Sequence, residues 1–420
     1  MKLAALLFCS APLWAQQPLT LDEAESMAMQ NHPRLKSAQL GVDSANELVT
    51  QARSAYKPFV SANVVASAAD HLSRIGAGGG LNASSIFSRF ASGIMINGPV
   101  WDFGRTSNLV SSARSRAGAA SEIVNASRAD LRLGVRNAYF SALLAQSTVR
   151  VARETLEARR LVLKQVAALA ESNLRSTLDV GFAEVAVSEA ELAVANAVTL
   201  LNSAMVELSA AMGMKQTVNY SLADVPAPPD LDNDAETMAK DSVARPELEA
   251  RRLQVKAARS FAEAERRLAF PTLTGLGVAG VIPAGDDRLK TRYSGIGLNL
   301  NIPLYNGDLN RSRRRDADLR VKIAELELLD AEIRIGAEVK RAWLAANDSF
   351  QRLPVTAKLL EQARRTQRLA QTRYELGLGN IVELNQAQLS RFTAEIAEVT
   401  ARYEYQLRRS ILDHAAGLLR

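Results

Sequence analysis

The chain has 420 residues, a net charge of +6, three histidines and one cysteine. His32, His71, His414 and Cys9 are too few for a His/Cys metal site or a Cys/His nucleophile. The positive charge is scattered along the chain without interleaved aromatics, which argues against a nucleic-acid partner; no GxGxxG, P-loop, GxSxG or HExxH pattern occurs, so neither a cofactor nor an enzyme activity is expected.

Residues 1–15 read as an export signal, with Lys2, an apolar run from Leu3 to Phe8 and a cut after Ala15. Lipidation of Cys9 would require a small residue where Phe8 stands, so Cys9 is expected to leave with the signal. No later run of about twenty apolar residues is expected to cross a membrane as a helix.

Thr20-Leu21-Asp22-Glu23 has the pattern of a capping box and opens a short helix that breaks near Pro33; a second helix then runs to Pro58. Beyond Pro58 the period changes to two. Val60, Ala62, Val64 and Ala66 alternate with Ser61, Asn63 and Ser67, and Ile94 and Ile96 take the matching face of the next strand. Each strand is ~10 residues long, the length of a tilted membrane-spanning strand.

Helical periodicity then runs from about Gly104 to Asn173, which at 1.5 Å per residue gives a rod of ~100 Å. Ala117, Val124, Leu131, Ala138 and Ala145 recur every seven residues, and Val135, Ala142, Val149, Leu156, Leu163 and Ala170 form a companion row. A turn at residues 173–176 leads to a return helix ending at Gly213, and a proline-rich linker follows at 214–232.

The second half repeats the first. Asn233-Asp234-Ala235-Glu236 repeats the capping box, Pro246 answers Pro33, and Pro271 answers Pro58. Ile296, Leu298, Leu300 and Ile302 alternate with Gly295, Gly297, Asn299 and Asn301. Val321, Leu328, Ile335, Ala342 and Ser349 continue the heptads, and Gly417 answers Gly213. The two halves differ in length only around the glycine stretch 76–80, as loops do. The expected units are 16–213, with a β-hairpin at about 58–101 and a helical hairpin at about 104–213, and 233–420, with its counterparts at about 271–305 and 308–417.

Two strands per half make four per chain, and four membrane strands cannot close; an open edge in lipid costs several kcal/mol for each unpaired backbone group. Two copies would give eight strands, filled by side chains, and three would give twelve, wide enough for a passage.

Gly98-Pro99-Val100-Trp101-Asp102-Phe103-Gly104 and Ile302-Pro303-Leu304-Tyr305-Asn306-Gly307 resemble the strand-to-helix junctions of TolC-like outer membrane efflux proteins. Tyr374-Glu375-Leu376-Gly377 leading into Ile381-Val382-Glu383-Leu384, and Thr177-Leu178-Asp179-Val180, resemble that family's helical tips. The resemblance implies a mainly α homotrimer whose twelve-stranded barrel in the outer membrane continues as an α-helical barrel through the periplasm. It also implies a periplasmic adaptor and an inner-membrane transporter of RND, ABC or MFS type as partners, with outer membrane lipid around the barrel. The function so implied is an exit duct for efflux or type I secretion; a periplasmic adaptor or a coiled-coil scaffold is the alternative.

By the same resemblance, Asp179 and Tyr374 fall in the network that closes the tunnel, and Glu383 in an acidic ring. A second acidic position is occupied by Gln386 and a basic one by Gly379, which implies a weaker latch. From the residues alone, Ser176 with Asp179 and Asn380 with Glu383 are capping boxes. Leu174, Arg175 and Ser176, with Gly377, Leu378, Gly379 and Asn380, form the tips expected to meet the adaptor. Pro99, Trp101, Gly104, Pro303, Tyr305 and Gly307 mark the strand–helix junctions. Trp101, Tyr293 and Tyr305 belong either to an aromatic girdle or to packed strand ends. Arg311, Arg313, Arg314 and Arg315 form a charged start to the second long helix, placed either against lipid phosphate or on a solvated face.

Overall fold

The computed structural model describes residues 18–68, 74–76, 83–85, 88–172, 174–226, 230–231, 234–287 and 289–419. The export signal with Cys9, His71, the stretch 77–80, Asn173, residues 227–229 and Asn233 lie outside them.

Helices α1 (Leu21–Asn31) and α2 (Pro33–Ser54) lead to strands β1 (Phe59–Ser67), β2 (Arg74–Gly76), β3 (Ala83–Ser85) and β4 (Arg89–Trp101). Helices α3 (Arg105–Glu171) and α4 (Thr177–Ala211) follow. The same order then recurs as α5 (Ala235–Asp241), α6 (Pro246–Arg266), β5 (Thr272–Gly285), β6 (Arg292–Asn301), α7 (Leu309–Glu375) and α8 (Ile381–Ala415). The repeat extends to length: α3 and α7 have 67 residues each, α4 and α8 have 35 each.

Local chemistry sets these ends. Thr20 completes the capping box with Glu23 in both directions, whereas α5 is capped by Asp234, whose carboxylate accepts from the Thr237 amide. The second cap therefore sits one residue later than the repeat alignment predicts. A carboxylate at that position satisfies the third helical amide directly, so no reciprocal glutamate is needed.

Contacts group the described residues into two units. The first draws on Met1–Ala38, Val124–Pro246 and Glu332–Arg420, the second on Gln39–Ile123 and Glu247–Ala331.

The second unit holds a four-stranded antiparallel sheet in the order β1-β4-β5-β6, so β1 and β6 are its edges. β2 pairs only with β3. The register aligns Val60 with Ile96, Ile96 with Gly277, and Gly277 with Ile296. Val60, Ala62, Val64, Ile94, Ile96, Ala279, Leu273, Ile296, Leu298 and Leu300 therefore share one face, as alternation predicted. That apolar face is bare: Ile296 is 96% and Leu298 71% exposed. The opposite face is more polar, with Ser61, Asn63, Asn97, Thr274 and Asn299 beside Val65, Met95, Leu276 and Val278. Tyr293 lies on this polar face in register with Gly280 and Gly93, and a Cβ at either glycine would collide with its ring or hydroxyl. It covers a glycine gap while staying partly exposed, and Trp101 and Tyr305 are more exposed still.

In the first unit the α3 heptads are packed. Val124, Leu131, Ala138 and Ala145 are buried, as are Val135, Ala142, Val149 and Leu156. Beyond Leu156 the row shifts: Val162 and Val166 are buried, while Leu163 and Ala170 are only half-buried. A straight helix drifts ~20° per heptad, so a strict seven-residue row leaves the interface after a few turns. By length and composition one 18-residue window of α4 is apolar enough to cross a membrane, although Glu184, Glu189, Glu191 and Glu207 leave the helix no run of twenty apolar residues. Its alanines account for the apolar character: Ala183, Ala186, Ala190, Ala197 and Ala204 form its packed stripe.

The first unit is tied together by fully buried Tyr139, whose hydroxyl lies 2.8 Å from the Leu19 carbonyl and 2.7 Å from that of Ala223. Burial pushes this hydroxyl up to about 12. Asp224 and Pro226, at the start of the proline-rich connection, are docked on α8 by Arg402, Tyr403 and Gln406. That end is held by packing rather than hanging as a free tether.

Candidate functional site

The tips of the two helical hairpins lie in the first unit. α7 stops because Gly377 adopts φ 77°, letting the Leu378 amide reach back to the Arg373 carbonyl at 2.8 Å. Asn380 then caps α8 by accepting from the Glu383 amide at 2.7 Å. In the other hairpin Ser176 caps α4 through the Leu178 amide at 3.1 Å. Asn380 with Glu383 is half of a capping box, whereas Ser176 caps the second helical amide rather than that of Asp179; neither acidic side chain bonds back to its cap backbone. The Glu383 carboxylate is drawn elsewhere.

It pairs with Arg373, Nε to Oε1 at 3.2 Å, with both side chains about half exposed. Arg373 also donates to the Leu378 carbonyl at 3.1 Å. Sequence reasoning sought the basic partner at Gly379 and missed Arg373. The available signal was the hairpin itself, which sets the last turn of one helix beside the first turn of the next.

Tyr374 is buried with Val162, Val166, Ile381 and Leu384 in one apolar cluster. The Arg175 guanidinium sits 4.5 Å from its ring centroid and donates to the Tyr374 carbonyl at 2.7 Å. Arg175 thereby joins the α3–α4 turn to the end of α7 instead of standing free at the tip. The Tyr374 hydroxyl is buried and has no hydrogen-bond partner among the described residues. Burial pushes that hydroxyl up, the Asp179 carboxylate adds to the rise, and Arg175 works against it. Asp179 is thus brought near Tyr374, while Gln386 is exposed. The outer surface of the tips is apolar: Leu174, Leu178, Leu376 and Leu378 are all exposed.

The junction residues gather in the second unit. Asp102 accepts from the Gly104 amide at 3.0 Å and the Thr106 amide at 2.6 Å, fixing the turn into α3. Phe103 and Gly104 both have positive φ there, and Gly307 and Asp308 repeat this before α7. Asn306 takes the place of Asp102, accepting more weakly from the Asn310 amide at 3.4 Å. Pro99 lies beyond the last β1 pair, where a missing amide costs nothing on that side, and a register shift separates it from Trp101. Pro303 and Tyr305 lie in the extended segment after β6. Arg311, Arg313, Arg314 and Arg315 are all exposed on the first turns of α7.

Residues 25–214 and 242–418 match the family described as outer membrane efflux protein. Protein CyaE of Bordetella pertussis is 26% identical over 418 residues, covering 98% of this chain and 86% of that protein. Outer membrane efflux protein BepC of Brucella suis is 26% identical, over 81% of this chain and 73% of its own length. The crystal structure of the Campylobacter jejuni CmeC outer membrane channel superposes with a TM-score of 0.80 at 15% identity, over 94% of this chain and 85% of that one.

Proposed function

Because the chain belongs to the outer membrane efflux protein family, and so serves as an exit duct in the outer membrane for efflux or secretion, we propose that three copies close one channel. The observation that carries this is the bare four-stranded sheet, apolar on one face, more polar on the other and open at β1 and β6. An unpaired edge is untenable in lipid, and twelve strands form the smallest closed barrel of these units that leaves a passage. A second feature supports assembly: α4 exposes Leu178, Val185, Leu192 and Val206 at heptad spacing, a seam left uncovered by the described residues. An adaptor or coiled-coil scaffold has no use for the bare apolar sheet face.

In this reading the family's role in conduction needs no catalytic residue. The Arg175–Tyr374 clasp and the Arg373–Glu383 pair hold the tips closed, with Asp179 beside them. The leucine-rich tips receive the hairpin of a periplasmic adaptor, which links the duct to an inner-membrane transporter. Substituting bulky residues at Gly377 and Gly379 is expected to abolish export while leaving the assembly intact. Arg311, Arg313, Arg314 and Arg315, in the first turns of α7 beyond the segment that follows β6, face lipid phosphate at the inner leaflet.

The test is cross-linking and planar-bilayer recording of the protein purified in detergent. Trimers with discrete conductance steps are expected. A folded monomer without conductance overturns the proposal.

A further inference from the structure

We propose that a cavity inside the helical wall binds a small neutral aromatic ligand carrying a hydroxyl group, which bridges the two helical hairpins of one chain. All four long helices of the first unit line it. Two adjoining spaces of about 40 and 280 Å³ share Thr155, Arg159 and Phe392, and Gln388 lines the smaller one. The larger is well above the roughly 10–15 Å³ that admits a single water.

Two of the lining groups are buried with an unused hydrogen-bonding atom. Arg159, 6% exposed, donates Nη1 to the Ala186 carbonyl at 2.5 Å and pairs with Glu189 at 3.1 Å, but its Nε–H has no acceptor among the described residues. Gln388, 9% exposed, has no donor for Oε1 among the described residues. A buried polar atom left unmade costs ~1–3 kcal/mol, so the site favours an occupant that completes both. A hydroxyl accepts from one group and donates to the other.

The remaining lining fixes the ligand class. Glu395 already holds Arg364 and Arg391, each at 3.1 Å, and Glu189 holds Arg159. Each of these charges, like that of Glu154 with Arg150, already has an ion-pair partner, which favours a neutral guest. Phe392, Leu389 and Ala190 provide the apolar surface for a ring. Because Arg159 belongs to α3 and Gln388 to α8, the ligand would tie one hairpin to the other. This goes beyond the duct reading and does not depend on it.

The experiment uses fluorine NMR of the detergent-solubilised full chain with 4-fluorobenzyl alcohol, and with 4-fluorotoluene as the control lacking the hydroxyl. Saturable binding of the alcohol is expected, about ten-fold tighter than the control, with a rise in Tm on binding. Gln388→Leu should erase the preference without lowering the Tm of the free protein, because it removes an unpaired acceptor. Equal uptake of both probes, binding unchanged by Gln388→Leu, or a cavity that holds only water would each overturn the proposal.

Discussion

The guanidinium of Arg175 lies over the ring of Tyr374 at 4.5 Å while donating to the carbonyl of the same residue. One arginine thus grips both the side chain and the backbone at the end of α7 from the turn of the other hairpin. The cation–π contact and the charged hydrogen bond together are worth about 2 kcal/mol. Arg175→Ala should therefore shift closure by about 30-fold, seen as higher open probability in planar bilayers. Tyr374→Ala should act likewise. Tyr374→Phe should leave closure and Tm unchanged or improved, since the hydroxyl it removes is buried without a partner among the described residues. If Tyr374→Phe opens the channel as Tyr374→Ala does, the ring-centred clasp is wrong.

The Arg373–Glu383 pair is half exposed, so its effect on stability is small, about 0–1 kcal/mol. Its effect on ions should be larger. Glu383→Gln is expected to lower cation preference and Arg373→Gln to raise it, because each leaves the partner charge unopposed. Reversal potentials across a salt gradient check both signs, and identical shifts in the two variants would contradict the pairing.

Asp102 carries a carboxyl held below the usual range. Burial opposes this, but the hydrogen bonds from Thr106 and Gly104 and the charge of Arg105 outweigh it. A lowered folded pKa contributes stability that is present above the unfolded value near 3.9 and lost as pH falls through the folded one. The Tm difference between the native protein and Asp102→Asn should therefore be widest at neutral pH and close below about pH 4. A difference independent of pH would show that the charge contributes nothing. Asp102→Ala should cost ~1 kcal/mol or more, as for a lost helix cap.

Two glycines should respond in opposite directions. Gly213 has φ 76°, and an added Cβ would lie 2.8 Å from the His32 Cα, so Gly213→Ala should lower Tm. Gly41 lies within α2 with nothing near its missing Cβ, so Gly41→Ala should stabilise by about 0.5–1 kcal/mol. Thermal melts of both variants decide the matter.

Much of the fold is visible in residue spacing. Alternation at Ile296, Leu298 and Leu300 placed the apolar face of the sheet, and the heptads from Val124 to Ala145 placed the α3 seam. Both follow from backbone periods that each residue obeys locally. The pairing β4–β5, which joins the two halves into one sheet, is a long-range contact that no local period encodes.

The tips were less legible. Asp179, Tyr374 and Glu383 could be named from the motif, but Arg373 and Arg175 could not be assigned as their partners, because long side chains reach wherever the turn directs them. The sequence by itself determined the duplication, the helix caps and the two-faced strands, since capping and alternation act over a few residues. Only the tertiary structure decided which arginine meets which acid or ring, that Tyr293 fills the gap above Gly93 and Gly280, and that Arg159 and Gln388 line one cavity. Those outcomes depend on side chains from distant segments competing for the same space, and that competition is settled only when the chain is folded.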